Sequence, residues 1–288
     1  MNIIDWRIDY RCSDECTYCF ASEHIPILSL DEERIVLEKI CHSNVQVVNI
    51  TGGEPMLDSS RCVRIIRTLY ENGKDVYLST NGYAFESWRK EVDKLALLGL
   101  PLDGYDGKSN TVNGRNKDAF SRVLEILNSN EIKGTNLKIG TVVTHNCVDD
   151  TRLKRISEFL DNYPIKLWRI YEMIPEGRGE KNRRILMLNE KERCGLHNIV
   201  RKISEMQHPY RIELVTREMR SSAYFIIQPN GVVMTPIDYG DSVSEIELGS
   251  LIELSINELE KRWQKIINTQ EASQYKKNRY FDVKGVRL

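Results

Sequence analysis

Cys12, Cys16 and Cys19 stand in the run Cys12-Ser13-Asp14-Glu15-Cys16-Thr17-Tyr18-Cys19, a CxxxCxxC spacing. Thiolates are soft donors that suit iron–sulfur clusters. Three of them on one short loop can hold three irons of a 4Fe–4S cluster and leave the fourth iron open to a chelating ligand. A structural zinc site wants four ligands, and the fourth would have to come from afar, for example His24. Three coincidental core cysteines are the remaining reading. The chain has 7 cysteines, an odd number, and its first ten residues carry Asp5, Arg7 and Asp9 rather than the apolar stretch of an export signal. A disulfide framework is therefore not expected.

A second group lies at Thr51-Gly52-Gly53-Glu54-Pro55. Two adjacent glycines let a backbone approach a ligand closely and expose its amides, and Glu54 offers an acceptor for an ammonium. Ser79-Thr80-Asn81 is either a polar ligand contact or a plain strand-to-helix turn. Lys138 lies among apolar neighbours, where an unpaired lysine is costly, so an inward Lys138 meets an anion; near its strand start it would instead be solvated. Alternation along Leu167 to Tyr171 puts Trp168 and Ile170 on one face, Arg169 and Tyr171 on the other. An inward Arg169 would contact an anionic group. His145 follows a strand, and faces either the ligand or solvent.

These residues sit at corresponding places in a repeating pattern. Ile3–Ile8, Val45–Ile50, Val76–Thr80, Leu100–Leu102, Leu137–Val143 and Ile165–Met173 read as strands buried on both faces. Helices are expected between them, over Asp31–Cys41 with a Ser29/Glu32 capping box, Arg61–Tyr70, Phe85–Leu97, Asp118–Leu127 and Asp150–Leu160. Such alternation predicts an α/β fold: a parallel sheet covered by helices and curled toward a partial or full barrel, with ligands at the C-terminal strand ends. After residue 185 the pattern changes. A helix over Glu190–Met206 precedes strands at Arg211–Val215, Tyr224–Gln228 and Val232–Thr235, expected to be antiparallel, with Pro229-Asn230-Gly231 as a hairpin turn. A last helix is expected over Ile256–Ile267. We therefore divide the chain into a core, 1–185, and a capping extension of helix, hairpin and helix, 186–288. In the latter Tyr224, Gln228, Asp238, Tyr239 and Asp241 could reach the site.

Lys plus Arg number 41 and Asp plus Glu 42, giving a formal net charge of −1. That balance argues against a nucleic-acid coat or a polybasic membrane surface. No apolar run reaches the length of a membrane span. The expected partners are a small molecule, with no nucleic acid and no membrane, and the expected compartment is the cytoplasm.

The cysteine spacing with Tyr18 before the last cysteine, after the first strand, and Gly52-Gly53-Glu54 after the second, resembles the radical S-adenosylmethionine (radical SAM) superfamily. The resemblance implies a partial (β/α)6 barrel with a small α+β C-terminal extension. It implies a 4Fe–4S cluster on Cys12, Cys16 and Cys19, and S-adenosylmethionine (SAM) whose methionine amine is held at Gly52, Gly53 and Glu54. Tyr18, Ser79, Asn81, Arg115, Tyr171 and Met173 become cofactor contacts, with Tyr171, Met173 and Ile174 against the adenine. The reaction implied is reductive cleavage of SAM to a 5′-deoxyadenosyl radical, which takes a hydrogen from the substrate. A reductase such as flavodoxin or ferredoxin would supply the electron.

Leu102-Asp103-Gly104-Tyr105-Asp106, Asn110, Gly114-Arg115, the Lys138 strand and Leu167–Tyr171 are similar in order to viperin-like enzymes, which dehydrate a nucleoside triphosphate. That likeness points to a small anionic substrate, a nucleotide first, with Lys138, Arg169 and His145 as substrate contacts. A dehydratase, decarboxylase or epimerase acting on a sugar or nucleoside is the alternative. A peptide-modifying enzyme ranks below these, since no cysteine follows Cys194 to build an auxiliary cluster. A structural or sensing metal module is the non-enzyme reading. Cys41, Cys62, Cys147 and Cys194 are taken as structural, as buried free thiols commonly are, with Cys147 also a candidate hydrogen donor.

Overall fold

Strand β1 (Ile3–Asp9) is buried along its whole length. Its even-numbered residues Ile4, Trp6 and Ile8 pack into the main hydrophobic core under the helices. Its odd-numbered residues point the other way: Ile3 joins a small apolar cluster, while Asp5 and Arg7 line a cavity. The same division runs through β2 (Val47–Gly52), β3 (Asp75–Ser79), β4 (Leu95–Pro101), β5 (Leu137–Val143) and β6 (Leu167–Glu172). Ile3, Val47, Tyr77 and Leu97 close the floor. Two residues further along, Asp5, Asn49, Ser79 and Gly99 form a polar belt facing the cavity. Strand periodicity thus puts an apolar floor and a polar wall on one face of one sheet.

The computed structural model describes residues 1–21, 24–240 and 242–267. Among these residues ten strands form one sheet, in the order β10-β9-β8-β1-β2-β3-β4-β5-β6-β7. Strands β1 to β6 pair in parallel and in sequence, as right-handed β–α–β units require. The two ends of the sheet do not pair with each other, so the barrel is open. Helix Leu30–Cys41 starts with the Ser29/Glu32 capping box.

Two expectations are corrected. The helix expected over Phe85–Leu97 is a turn of helix at Phe85–Trp88 and a 3-10 segment at Arg89–Lys94; strand β4 begins at Leu95. A short leucine-rich run does not distinguish helix from buried strand by periodicity. The three late strands do not form one antiparallel group. Strand β7 (Arg211–Val215) pairs in parallel with β6. Strand β8 (Ile226–Ile227) pairs in parallel with β1, at the other end of the sheet. The hairpin turn then leads into β9 (Val232–Asp238), which is antiparallel to β8, and β10 (Val243–Ser250) follows. The extension therefore continues both edges of the core sheet. Helix Ile256–Gln264 closes the described chain, with Trp263 fully buried against Phe225.

Candidate active site

The loop that follows β1 carries the three cysteines, and all three line one cavity of about 310 Å³. Backbone and amide contacts hold the loop from one side. Thr17 N donates to Asn113 O at 2.9 Å, Asn116 Nδ2 to Ser13 O at 2.6 Å and Asn182 Nδ2 to Thr17 O at 3.0 Å. Beneath it lies a buried charge network. Asp14 pairs with Arg115 at 3.3 Å and Arg122 at 2.6 Å, and Arg115 pairs with Asp103 at 2.9 Å. The Tyr18 hydroxyl donates to Asp103 and accepts from Arg115. These carboxylate–guanidinium contacts stitch the cysteine loop to the segment after β4.

Burial pushes the Cys12 thiol up to about 12 and the Cys16 thiol up to about 11. Neither ionises alone at neutral pH, so metal binding must displace their protons. Among the described residues no three His, Cys, Asp or Glu side chains lie close enough to hold a single metal ion. Three thiols lining one cavity are the soft donors that an iron–sulfur cluster takes.

The glycine turn after β2 packs against the start of this loop. A Cβ on Gly52 would lie 2.3 Å from Asp9 O, and one on Gly53 2.1 Å from Arg11 O. Gly53 N donates to Asp9 O at 2.8 Å and Glu54 N to Arg11 O at 2.7 Å. The close approach that demands glycine is thus to the cysteine loop itself. Glu54 does not extend into the cavity. Its carboxyl group is fully buried and accepts from Met56 N at 2.9 Å, Thr80 Oγ1 at 2.6 Å and Asn81 N at 2.6 Å. Burial nevertheless raises it to about 7. Glu54 joins the ends of β2 and β3. Asn81 in turn places its Nδ2 2.9 Å from Ser13 Oγ and 3.8 Å from Cys12 Sγ.

The opposite wall is built from β5, β6 and the extension. Lys138 reaches across Gly99: a Cβ there would sit 3.0 Å from Lys138 Cε and 3.4 Å from Nζ. Ser79, beside it, donates to Asn49 at 3.0 Å. Arg169 and Tyr171 line the cavity, while Trp168 and Ile170 are in the core. Arg169 pairs with Glu213 of β7 at 2.7 Å. Burial alone would raise the Tyr171 phenol, but Lys138, Arg169 and Arg220 outweigh it and hold it below its usual value. Met173 is buried beside Cys16 and Tyr18. Arg220 lies over the rings of Phe20, Tyr171 and Tyr224 at 5.3, 5.6 and 5.6 Å.

Of the residues singled out in the sequence, Cys12, Cys16, Cys19, Tyr18, Gly52, Gly53, Ser79, Asn81, Arg115, Lys138, Arg169, Tyr171 and Met173 line this one cavity. Arg115 does so while engaged by Asp14 and Asp103, so its charge is spent on the cysteine loop. His145 is elsewhere. Its side chain is half exposed and pairs with Glu192 at 2.7 Å, because the turn after β5 carries it outward. Cys147 is buried away from the cavity, accepting from Thr144 N at 3.3 Å and Asn113 Nδ2 at 3.5 Å. Asp238 and Tyr224 line the cavity, Tyr239 is exposed, and Asp241 lies outside the described residues. Sequence reasoning missed Arg7, Phe20, Glu176, Arg217 and Arg220. The one available signal was a charged residue at an inward strand position or beside the glycines of Pro175–Gly179.

The radical SAM superfamily model matches residues 7–156, and the chain belongs to that superfamily. It is an enzyme of the class that uses SAM and an iron–sulfur cluster. It is 26% identical over 284 residues to an S-adenosylmethionine-dependent nucleotide dehydratase of Fibrobacter sp. (strain UWH6), covering 87% of this chain and 84% of that one. It is 31% identical over 180 residues to a GTP 3′,8-cyclase of Mannheimia succiniciproducens, covering 58% of this chain and 51% of that one. Among solved structures, anSMEcpe with bound AdoMet and a Kp18Cys peptide superposes with a TM-score of 0.65 at 17% identity, over 96% of this chain and 83% of that one. Streptococcus suis SuiB bound to S-adenosylmethionine gives 0.66 at 15% identity, over 95% and 67%. These two share the fold. Among the described residues no helix is long and apolar enough to cross a membrane.

Proposed function

We propose that this chain dehydrates a nucleotide by radical SAM chemistry. The observation that carries the reading is one cavity with three cysteines on one side and Lys138, beside the Glu213-paired Arg169, on the other. The likeness to a nucleotide dehydratase over 87% of this chain supports the same substrate class. Cys12, Cys16 and Cys19 would hold a 4Fe–4S cluster, and the Gly52–Gly53 turn with Asn81 would orient the methionine end of SAM. When bound, that pair supplies a 5′-deoxyadenosyl radical on one-electron reduction. The chain's own residues bind and orient. Tyr18 and Arg115 fix the loop, Met173 and Tyr171 border the cofactor, and Lys138 faces the anionic part of the substrate. The apolar floor of Ile3, Val47, Tyr77 and Leu97 seals the inner end against water. The electron donor would be a flavodoxin or ferredoxin, and a reducing cytoplasm would suit free cysteines and a reduced cluster.

The test is anaerobic. The reconstituted, reduced enzyme is given SAM and each of CTP, UTP, ATP and GTP in turn, and 5′-deoxyadenosine is quantified. A rise of tenfold or more with one nucleotide supports the reading, while a background unchanged by all four moves the substrate to sugars, nucleosides or peptides. In parallel, Cys16→Ala should fall from about four irons per chain to near none and lose SAM cleavage. An iron-replete, active variant would overturn the cluster assignment.

A further inference from the structure

The cysteine loop has an outer side as well as an inner one. Cys12, Cys16 and Cys19 line the cavity, but Thr17 does not. Thr17 is gripped by two other segments. Its N and Oγ1 donate to Asn113 O at 2.9 and 3.1 Å, and its carbonyl accepts from Asn182 Nδ2 at 3.0 Å. Glycines lay the second segment on the loop. Gly177 has φ +57°, a Cβ there would lie 2.9 Å from Cys19 O and from Ala21 O, and Gly179 N donates to Cys19 O at 3.2 Å. Two single-turn helices run through this segment, Arg178–Lys181 and Arg183–Leu186. Leu186 is buried with Cys16, Tyr18 and Met173 and pins the second helix down.

What these segments leave outside is apolar and basic. Ile185, next to the buried Leu186, is 59% exposed, and Val112, next to Asn113, is 44% exposed. They stand on the two segments that grip Thr17. Residues 178–186 carry four cations, Arg178, Lys181, Arg183 and Arg184, against one acid, Glu180, in a chain whose formal net charge is −1. The positive excess is therefore local. Arg183 pairs with Glu180 at 3.3 Å, while Lys181 and Arg184 are exposed. Glu15 is the exposed acid of the cysteine loop itself. Val112, Lys181, Arg184 and Ile185 do not line the cavity. Apolar contacts with charges around them are the make-up of a docking surface, and a positive excess selects an acidic partner.

We propose that this outer surface docks a small acidic electron-carrier protein, which delivers its electron through the cysteine loop. The proposal rests on the reading above, in which the three cysteines hold a reducible cluster. The cavity takes the inner side of the loop, and the outer side is where a protein can come up against the same cysteines. Electron transfer weakens steeply with distance, and the carbonyls of Thr17 and Cys19 already touch the docking segment. The step moves one electron: the carrier's cofactor is oxidised by one, the cluster is reduced by one, and no bond is made or broken. Val112 and Ile185 are the contacts stripped of water, while Lys181 and Arg184 steer the encounter and fix its register.

The test reads binding and electron delivery separately. Reconstituted native enzyme is titrated with an oxidised flavodoxin and with an oxidised ferredoxin, beside two variants that change the net charge equally. Lys181→Glu/Arg184→Glu alters the proposed surface. Arg201→Glu/Lys202→Glu alters exposed residues near the end of helix Glu190–Ser204, which leads into the start of β7 at the opposite end of the sheet. At low salt the first variant should bind a carrier about tenfold more weakly and the second within about twofold of native. Native binding should fall as salt is raised to about 0.5 M, and Ile185→Ser should weaken it with the salt dependence kept. Bleaching of the cluster's visible absorbance by the reduced carrier should slow in parallel in Lys181→Glu/Arg184→Glu, while bleaching by reduced methyl viologen, which needs no docking, should not slow. Equal affinities of native enzyme and the first variant overturn the proposal, as does native enzyme that binds neither carrier at low salt. If the double variant loses its native circular dichroism, Arg184→Glu alone decides by the same titration: weaker binding supports the surface and unchanged binding overturns it. A protein that takes up no iron fails the cluster reading instead, and the titration still decides the docking surface.

Discussion

The two walls of the cavity are made of different materials. On the cysteine side, above the Asp14–Arg115–Asp103 pairs, the glycine turn makes contacts of peptide against peptide: Gly53 N on Asp9 O, Glu54 N on Arg11 O, and two glycine Cα atoms with no room for a methyl group. On the opposite side the contacts are made by side chains: Lys138 over Gly99, Arg169 on Glu213, Arg220 over three rings and Arg7 on Glu245. A backbone contact has one geometry and tolerates no exchange. A side-chain contact can be retuned by substitution without moving the strand beneath it. One wall therefore fixes where a cluster would sit, while the other is free to suit a substrate, and a single fold can serve many substrates by varying the second wall alone.

Paired glycine substitutions test that contrast most severely. Gly53→Ala drives a methyl into the Arg11 carbonyl, so the apo protein should lose about 3 kcal/mol or more and reconstitute poorly. Gly99→Ala meets the flexible end of Lys138 and, at 3.4 Å, Ser79 Oγ, and about 1 kcal/mol is expected. Urea unfolding of both apo variants checks this, and equal losses would erase the distinction between the walls.

A smaller effect sharpens the cysteine side. The Glu54 carboxyl titrates at about 7 in the folded protein against 4.5 ordinarily. The folded chain therefore keeps a proton that the unfolded chain has released, and native stability falls as pH rises from 4.5 toward 7. Relative to Glu54→Gln, which has no such proton, the native apo protein should lose on the order of 3 kcal/mol across that window. Parallel denaturation curves at pH 5 and 7 would show instead that the three donors keep Glu54 ionised throughout.

The smallest effect belongs to the opposite wall. Lys138→Ala removes a cation without leaving a buried charge behind. It should raise the nucleotide KM by about tenfold to a hundredfold, the worth of a charge-assisted contact, with the melting temperature little moved. An unchanged KM would take Lys138 out of the site.

The same contrast explains what the sequence disclosed. Chemistry carried by local spacing was legible: the three cysteines and the glycine pair lie within loops of a few residues, and strand alternation alone put Arg169 and Tyr171 on the face opposite Trp168. Chemistry assembled from distant segments was not. Nothing in Arg7 announces Glu245 on another strand, and nothing in Ile226–Ile227 says that its partner is β1 rather than β7. Pairing partners are chosen by the folded whole, and short apolar strands fit either edge. The burial of Glu54 was not legible either. A lone acidic residue after two glycines reads as an open acceptor, and only the three donors around it reveal a buried one.

The position of β8 has a consequence for synthesis. Strand β1, which launches the cysteine loop, has β2 on one side within fifty residues, but its other edge is covered by Ile226–Ile227. At ordinary translation rates the chain between Asp9 and Ile226 takes on the order of ten to forty seconds to emerge. For that interval the growing chain presents an unpaired strand edge beside three reduced thiols. The window in which this protein is most exposed to aggregation and oxidation therefore closes only when its last strands leave the ribosome.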